Sequence, residues 1–279
     1  MVKLVVFVPG FMGSSLLYRG PGPLKNQIEV PAWGQELSQT QRNLRYLAFP
    51  TPPAATVEAT AVIDHASLYG LPFLGGDVYG ILIRHLRGLA FKEKIEFVEF
   101  PYDWRASVQT SAAALRTRVT TAAAGLKAGQ ILIVAHSMGG LVARLALLES
   151  EELQRKTQRL VHIASPLRGS VKAMWTLKVA PAMSSGFDGL LRGLLGTVDV
   201  VRAVQGQALL FDQMMQVIRS FPSIYELLPP QDVKPLKDET GERLSCFTDD
   251  LWPEADLPLV HTRWRRTPSL RRPRRCLFR

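Results

Sequence analysis

The sequence predicts an α/β fold with a mostly parallel, doubly wound sheet. Four short apolar runs rich in β-branched residues occur in the first 165 residues, and such runs are typical of strands buried on both faces. Helical patterns lie between the runs, and strands that alternate with helices imply βαβ units with right-handed crossovers. The predicted strands cover residues 3–8, 95–100, 131–135 and 160–164.

The first of these runs has an alternative interpretation as part of a signal peptide. Its apolar stretch is short and stops at Pro9-Gly10, and no small-residue cleavage site follows it. A buried strand is therefore the preferred interpretation.

Three helices are predicted, over residues 77–89, 107–126 and 138–149. The second is rich in alanine, and the third begins where a predicted strand ends. The first has four apolar residues at helical spacing, which places them on one face of the helix. These four are Val78, Ile81, Leu82 and Leu86.

Two stretches depart from the alternation and are predicted as insertions into a domain that covers residues 1–260. Residues 18–67 are rich in proline and glycine, which favours an ordered loop insertion over the sheet. Residues 169–230 have a helical tendency and are predicted to form a cap. The remaining residues, 261–279, are predicted to be a basic tail without regular structure.

Composition excludes several classes of protein. With 279 residues, 47% of them hydrophobic, the chain has enough apolar surface for a large core, which excludes a disordered or low-complexity protein. The formal net charge of +10 favours a nucleic-acid partner, but residues 263–279 hold eight arginines and no acid. Without them the charge is only +2. The basicity thus belongs to the tail, and no nucleic-acid partner is expected.

The number of cysteines and the length of the apolar runs bear on cellular location and metal binding. Two cysteines, Cys246 and Cys276, cannot form a disulfide framework or a four-ligand zinc site. This fits a reducing compartment, and we expect the protein in the cytoplasm. No run of about 18 apolar residues occurs, so a membrane-spanning helix is not expected.

The most informative motif is ILIVAHSMGG at residues 131–140, where an apolar strand leads directly into a helix. The pattern Ala135-x-Ser137-x-Gly139 is typical of a nucleophile elbow, in which a strained turn projects the serine hydroxyl out of the sheet. Small residues on either side of the serine let strand and helix approach closely, and the helix N-terminus favours developing negative charge. The alternative is a helix N-cap serine, which does not explain the flanking small residues.

A second motif, VPGFMGSS at residues 8–15, follows the first predicted strand. Enzymes with a nucleophile elbow stabilise the oxyanion with two backbone N–H groups. One belongs to the residue after the nucleophile, here Met138, and the other to a loop after an earlier strand, here Phe11. A simple glycine turn that leaves the strand is the alternative.

Further motifs resemble the lecithin:cholesterol acyltransferase family. They occur in the family's order and extend over roughly residues 3–255: VPGFMGSSLL, Trp33, FPYDWR at residues 100–105, AHSMGG, IASPLRGS at residues 163–170 and FPSIYELLP at residues 221–229. The resemblance implies an α/β-hydrolase fold with a helical cap. It implies acyl transfer from a lipid or small ester to Ser137 and then to an alcohol or water, without a cofactor or a metal. A peripheral contact with membranes is a further expectation, and the oligomeric state is left open.

The resemblance also bears on individual residues. It places the oxyanion donors at Phe11 and Met138, and it makes Trp33 a candidate substrate contact, for which a packed core tryptophan is an equal alternative. Asp103 and Arg105 of FPYDWR are expected to hold their loop by local hydrogen bonds. Asp103 precedes Ser137 and so lies in the wrong order for the acid of this fold.

The rest of the catalytic triad is the weakest part of the match. His162 lies within a predicted strand and is interpreted as a core histidine, which leaves His261 as base and Asp250 as acid. Ten residues separate Asp250 from His261, which is too few for a crossover between parallel strands. We therefore expect the last strands of the fold to be missing and the catalytic relay to be impaired. The change after Leu259 to an arginine-rich tail suggests the hypothesis of out-of-frame translation.

Two other functions remain open. A non-catalytic binding or scaffold protein on a truncated hydrolase frame would not need the acid and the base, although it would not need a strained serine either. The tail is a candidate for binding anionic lipid or nucleic acid through its arginines, with a solvated tail as the alternative. In the predicted cap, apolar residues are candidates for an acyl pocket or for plain core. These are Met174, Trp175, Leu190, Leu191, Leu194 and Leu195.

Overall fold

The computed structural model describes residues 1–24, 26–36, 39, 42–68, 71–178, 217–230, 232–237 and 240–245. Contacts within the chain divide it into two compact units, Met1–Ser165 and Pro166–Arg279. The predicted single domain over residues 1–260 stays a prediction.

Eleven strands, six α-helices and one turn of 3-10 helix at Leu44–Leu47 have both ends within the described residues. In chain order the strands are β1 (Leu4–Val8), β2 (Ser14–Pro21), β3 (Gln27–Trp33), β4 (Thr56–Val62), β5 (His65–Leu68), β6 (Leu71–Asp77), β7 (Glu96–Glu99), β8 (Ile131–His136), β9 (Thr157–Ile163), β10 (Leu236–Lys237) and β11 (Arg243–Leu244). The helices are α1 (Gly80–Lys92), α2 (Val108–Ala122), α3 (Met138–Leu148), α4 (Glu151–Lys156), α5 (Val171–Lys178) and α6 (Pro222–Glu226).

The first unit is built on a parallel sheet whose strand order is β7-β1-β8-β9. Each of these strands overlaps one of the four predicted runs, so the predicted α/β class with a parallel sheet is confirmed. Every residue of β1 is buried, because β1 lies between β7 and β8 and is covered on both faces. A strand in that position has no polar face, which explains its continuous apolar sequence.

The strand order places a crevice at the carboxyl ends of β1 and β8. Strand β7 lies next to β1, towards one edge of the sheet. Strand β9 lies next to β8, towards the opposite edge. The loops that follow β1 and β8 therefore diverge from each other. Open α/β sheets bind ligands at such a topological switch point.

Helix α1 packs on the sheet with a different face from the predicted one. Ile81 is 68% exposed and Val78 is 36% exposed, whereas Tyr79 and Ile83 are buried against Phe7 of β1. The helix begins at Gly80, and the Asp77 carboxylate accepts the Ile81 N–H, which places Val78 before the helix and Ile81 on its solvent side. Two residues of the predicted apolar face, Val78 and Ile81, therefore lie outside the face that packs on the sheet. Leu82 and Leu86, the other two predicted residues, are partly buried against this core.

The two helices that follow begin close to their predicted positions. Helix α2 is capped by Ser107, whose hydroxyl accepts the Thr110 N–H at 3.0 Å. Helix α3 follows Ser137 directly and contacts β1, β8 and β9. Its sequence is apolar on almost every side, which is typical of a fully buried helix.

Residues 18–67, predicted as a loop insertion, contain regular structure where they are described. Strands β2, β3 and β4 form an antiparallel sheet in the order β3-β2-β4. Residues of β2 alternate between buried and more exposed positions, which is the two-residue period of a half-buried strand. Prolines and glycines at the strand ends obscure this period in the sequence, and the loop interpretation is corrected accordingly.

In the second unit, helix α5 and the segment around α6 are joined by backbone contacts. The Ser170 N–H donates to the Leu227 carbonyl at 2.7 Å. Gly169 has φ +81°, and a methyl group on it would lie 2.2 Å from Cα of Pro229, so only glycine fits there. Residues 179–216, most of the predicted cap, lie outside the described residues. Within the described part of the chain, no helix is long and apolar enough to cross a membrane.

Candidate active site

Ser137 occupies a sharp turn between β8 and α3. Its backbone has φ 50° and ψ −123°, a conformation that residues other than glycine rarely adopt. The Ser137 N–H donates to the Ile163 carbonyl at 2.8 Å, which attaches the turn to the neighbouring strand β9. The turn therefore has the strained strand-to-helix geometry that defines a nucleophile elbow.

The small residues on either side of Ser137 are required by the packing. Ala135 is fully buried within β8. A methyl group on Gly139 would lie 2.3 Å from the Pro9 carbonyl oxygen and 2.6 Å from that of Val8. Since both neighbours are backbone atoms, the first turn of α3 can approach the end of β1 only when residue 139 is glycine.

The loop after β1 lies directly beside the elbow. A methyl group on Gly10 would be 2.9 Å from Cβ of Ser137 and 2.9 Å from Nδ1 of His136. The Gly13 N–H donates to the Gly10 carbonyl at 3.0 Å and closes a turn in which Met12 has φ 62°. We call residues 9–13 the oxyanion loop, after the role predicted for Phe11.

The predicted oxyanion donors lie on the two sides of the crevice. Met138 is the first residue of α3 and is fully buried, and amides in the first turn of a helix have no intrahelical acceptor. Phe11 lies within the oxyanion loop, and its ring packs edge-to-face on Trp104 with 5.0 Å between ring centroids. The aligned peptides of α3 place a partial positive charge at this end of the crevice.

The motif FPYDWR holds the oxyanion loop at both ends. The Tyr102 hydroxyl donates to the Pro9 carbonyl at 3.0 Å, and the Tyr102 N–H donates to the Ser14 hydroxyl at 3.1 Å. The Trp104 indole N–H donates to the Ser14 carbonyl at 2.9 Å. Tyr102, Trp104 and Ser14 are all buried, so these hydrogen bonds are shielded from water and fix the loop on the sheet.

Trp33, the candidate substrate contact, is 7% exposed. Its indole N–H donates to the Met12 carbonyl at 3.0 Å, and its ring packs edge-to-face on Trp104 with a centroid distance of 5.4 Å. These contacts correspond to the alternative of a packed core tryptophan. Through Met12 they also support the oxyanion loop from the side of β3.

Arg105 connects the same motif to residues 47–51. Its side chain is fully buried and donates to the Asp103 carboxylate at 2.7 and 2.9 Å. It also donates to the carbonyls of Leu47 and Ala48 at 3.0 and 3.2 Å, and to the Thr51 hydroxyl at 3.2 Å. The bonds to Asp103 are the local hydrogen bonds expected from the sequence, and the bonds to residues 47–51 join the motif to a distant segment.

A further group of contacts beside the elbow has no counterpart in the sequence motifs. The Tyr79 hydroxyl accepts the Gly10 N–H at 2.9 Å and lies 2.7 Å from Nδ1 of His136. Burial raises the pKa of Tyr79 to about 12 and lowers the pKa of His136. Tyr79 is far from both partners in sequence, and no local pattern connects the three residues.

The remaining predicted histidines and acids do not complete a triad in the described residues. His162 lies in β9, and its Nδ1 is directed towards Gly140, where an added methyl group would be 2.6 Å away. Burial, and secondarily the charge of Arg144, lowers the pKa of His162. Asp250 and His261 lie outside the described residues. Where the structure is described, no group of three or more His, Cys, Asp or Glu side chains could hold a metal ion.

Comparison with known proteins supports one family. The family model for lecithin:cholesterol acyltransferase matches residues 54–185, a range that contains FPYDWR, the elbow and IASPLRGS. The predicted resemblance to this family is therefore confirmed. A search of curated protein sequences finds no match.

Proposed function

We propose that this chain, whose residues 54–185 match the lecithin:cholesterol acyltransferase family, is a serine-dependent lipid acyltransferase or lipase-like esterase. The family supports lipid acyl chemistry in general, and the role of Ser137 is the specific part of the proposal. The observation that carries it is the strained backbone of Ser137 at the crevice between β1 and β8. A serine that only capped a helix would adopt an ordinary extended conformation.

In the proposed reaction, the Ser137 hydroxyl oxygen attacks the carbonyl carbon of the ester and loses its proton to a base. The carbonyl oxygen becomes an oxyanion, which accepts hydrogen bonds from the N–H groups of Phe11 and Met138. The alcohol leaves with a proton returned by the base, and an acyl group stays on Ser137. Water or a second alcohol then attacks the acyl carbon, which releases an acid or a new ester and regenerates the serine.

The base and the acid are proposed as His261 and Asp250, on the basis of chain order alone. A serine hydroxyl without a base is a weak nucleophile, so this pair decides whether the protein catalyses turnover of the ester. The finer architecture is part of the same proposal. It comprises a doubly wound hydrolase sheet without its last strands and a cap over residues 169–230. Trp33 as a substrate contact, peripheral binding to membranes and a cytoplasmic location also remain proposals.

Ester turnover by the full chain tests the proposal. We expect the wild type to release p-nitrophenol from p-nitrophenyl butyrate, and we expect Ser137→Ala to lose at least about 10³-fold in kcat. Ser150→Ala is the matched control, because this hydroxyl caps α4 beyond the far end of α3 and should leave the rate unchanged. Added butanol distinguishes acyl transfer from hydrolysis by the formation of butyl butyrate.

Two outcomes would contradict the proposal in different ways. Equal rates in the wild type and Ser137→Ala would remove the nucleophile assignment. A folded wild type without turnover would favour the non-catalytic binding protein. If turnover is seen, His261→Ala and Asp250→Asn should each reduce kcat, and full activity in either variant would exclude that residue from the relay.

A further inference from the structure

One buried hydroxyl group connects the two loops that form the crevice. Tyr79 directly precedes α1, and its side chain is 7% exposed. Its oxygen accepts the N–H of Gly10 in the oxyanion loop at 2.9 Å. The same oxygen lies 2.7 Å from Nδ1 of His136, the last residue of β8 before the elbow.

The direction of both hydrogen bonds follows from chemistry. A backbone N–H can only donate, so the phenol oxygen accepts from Gly10 and its own proton is available to His136. Burial keeps both side chains neutral near pH 7, since it raises the pKa of Tyr79 to about 12 and lowers the pKa of His136. His136 therefore accepts at Nδ1 and holds its ring proton on Nε2.

The tyrosine is itself held in place by contacts that do not involve its hydroxyl. Its ring packs edge-to-face on Phe7 of β1, with ring centroids 5.1 Å apart, and on the His136 ring at 5.5 Å. The N–H groups of Val78, Tyr79 and Gly80 all donate to the Asp64 carbonyl, at 2.8 to 3.0 Å. A rigid frame of backbone and aromatic contacts thus presents the hydroxyl to the crevice.

The two contacts of the Tyr79 hydroxyl lie close to the predicted oxyanion donors, where a small displacement of the backbone would misplace a donor N–H. Gly10 lies beside Cβ of Ser137, and Phe11 follows it in the chain. Fixing the Gly10 amide fixes the peptide that leads into the predicted donor N–H of Phe11. Fixing the His136 ring fixes the end of β8, from which Ser137 and the N–H of Met138 follow.

We propose that Tyr79 is a positioning residue that sets the separation of the two oxyanion donors by joining Gly10 to His136 across the crevice. This inference rests on the proposed function, because it assigns Tyr79 a role in the same reaction. In this role Tyr79 acts through its contacts with Gly10 and His136.

Tyr79→Phe is the direct test, because phenylalanine retains the ring contact with Phe7 and removes only the hydroxyl. We expect kcat for p-nitrophenyl butyrate to fall about tenfold to a hundredfold, the size expected when a catalytic group is misplaced by about 1 Å. The KM should stay the same, because the oxyanion forms only after the substrate has bound, in the tetrahedral intermediate and the transition states beside it. A merely structural role would instead lower the folded fraction and leave the kcat of the folded protein unchanged.

Two variants at His136 provide an independent test, should Tyr79→Phe fold poorly. His136→Asn keeps an acceptor oxygen close to the position of Nδ1 and should retain most of the wild-type kcat. His136→Leu removes the acceptor and should lower kcat to the level of Tyr79→Phe. The double variant with Tyr79→Phe should be no slower than either single variant, because the two residues act as one unit.

A readout without substrate tests the geometry. In ¹⁵N NMR spectra near pH 7, His136 should show an acceptor Nδ1 and a protonated Nε2. Hydrogen exchange at the Gly10 amide should be faster in Tyr79→Phe than in the wild type. Equal exchange rates in the two proteins would overturn the inference.

Failure of this inference can be distinguished from failure of the proposed function. An active wild type with an equally active Tyr79→Phe overturns the positioning role alone. A change in KM without a change in kcat has the same consequence. A folded wild type without any turnover overturns the proposed function, and the catalytic role of Tyr79 fails with it.

Discussion

The conformation of Ser137 is costly for the chain. Positive φ values at residues other than glycine cost of the order of 1–3 kcal/mol, and the surroundings must offset that cost. Here the compensation comes from the close approach of α3 to the end of β1, which Gly139 permits. The strained backbone of Ser137 therefore depends on the absence of a side chain at Gly139.

Replacing Gly139 tests this dependence. In Gly139→Ala the new methyl group meets the carbonyl oxygens of Val8 and Pro9, so we expect the free energy of unfolding to fall by about 1–3 kcal/mol. Gly88→Ala in α1 is the control, since nothing lies within 4 Å of that position. There alanine should stabilise the helix by up to about 1 kcal/mol. Urea denaturation measures both variants, and equal stability changes would contradict the packing argument.

Among the elements, the loop after β7 organises much of the site. FPYDWR begins at the end of this strand, and its side chains hold the oxyanion loop through Tyr102 and Trp104 and residues 47–51 through Arg105. Most of these contacts end on backbone carbonyls, whose positions depend on the fold and leave no mark on the sequence. This explains why the motif is recognisable whereas its partners are not.

The buried arginine provides a test at this scale. Arg105→Met keeps the side-chain volume but removes the guanidinium donor to the Asp103 carboxylate and to the carbonyls of Leu47 and Ala48. We expect the free energy of unfolding to fall by about 3 kcal/mol or more. Arg116→Met removes the partly exposed pair with Glu149 between α2 and α3, and it should cost less than about 1 kcal/mol. Thermal or urea unfolding that shows similar losses would contradict the role of Arg105.

For the whole molecule, the sequence predicted those features whose determinants are contiguous. The strand, the turn and the helix around Ser137 lie within one short segment, and the pattern of small and large residues there is nearly sufficient to predict the elbow. Helix α1 is harder to predict, because apolar residues occur on more than one of its faces. Periodicity alone placed Val78 and Ile81 on the apolar face, whereas Tyr79 and Ile83 pack on the sheet. The contact of Tyr79 with Gly10 and His136 joins three distant segments, so no local pattern could have indicated it.

The topology of the sheet brings these separate segments together. Because β1 and β8 are adjacent parallel strands, their carboxyl ends lie side by side, and the oxyanion loop and the elbow meet at one crevice. The geometry around Ser137 supports a nucleophile at that crevice. A serine nucleophile needs a base that accepts its proton, and the proposed function assigns this role to His261.

Labelling of the purified full chain with a fluorophosphonate probe tests whether a base activates Ser137. The probe forms a covalent bond with activated serines, and peptide mapping by mass spectrometry locates the adduct. We predict one adduct at Ser137, its loss in Ser137→Ala, and a large decrease in labelling rate in His261→Ala. A folded wild-type chain that remains unlabelled at Ser137 would contradict the account.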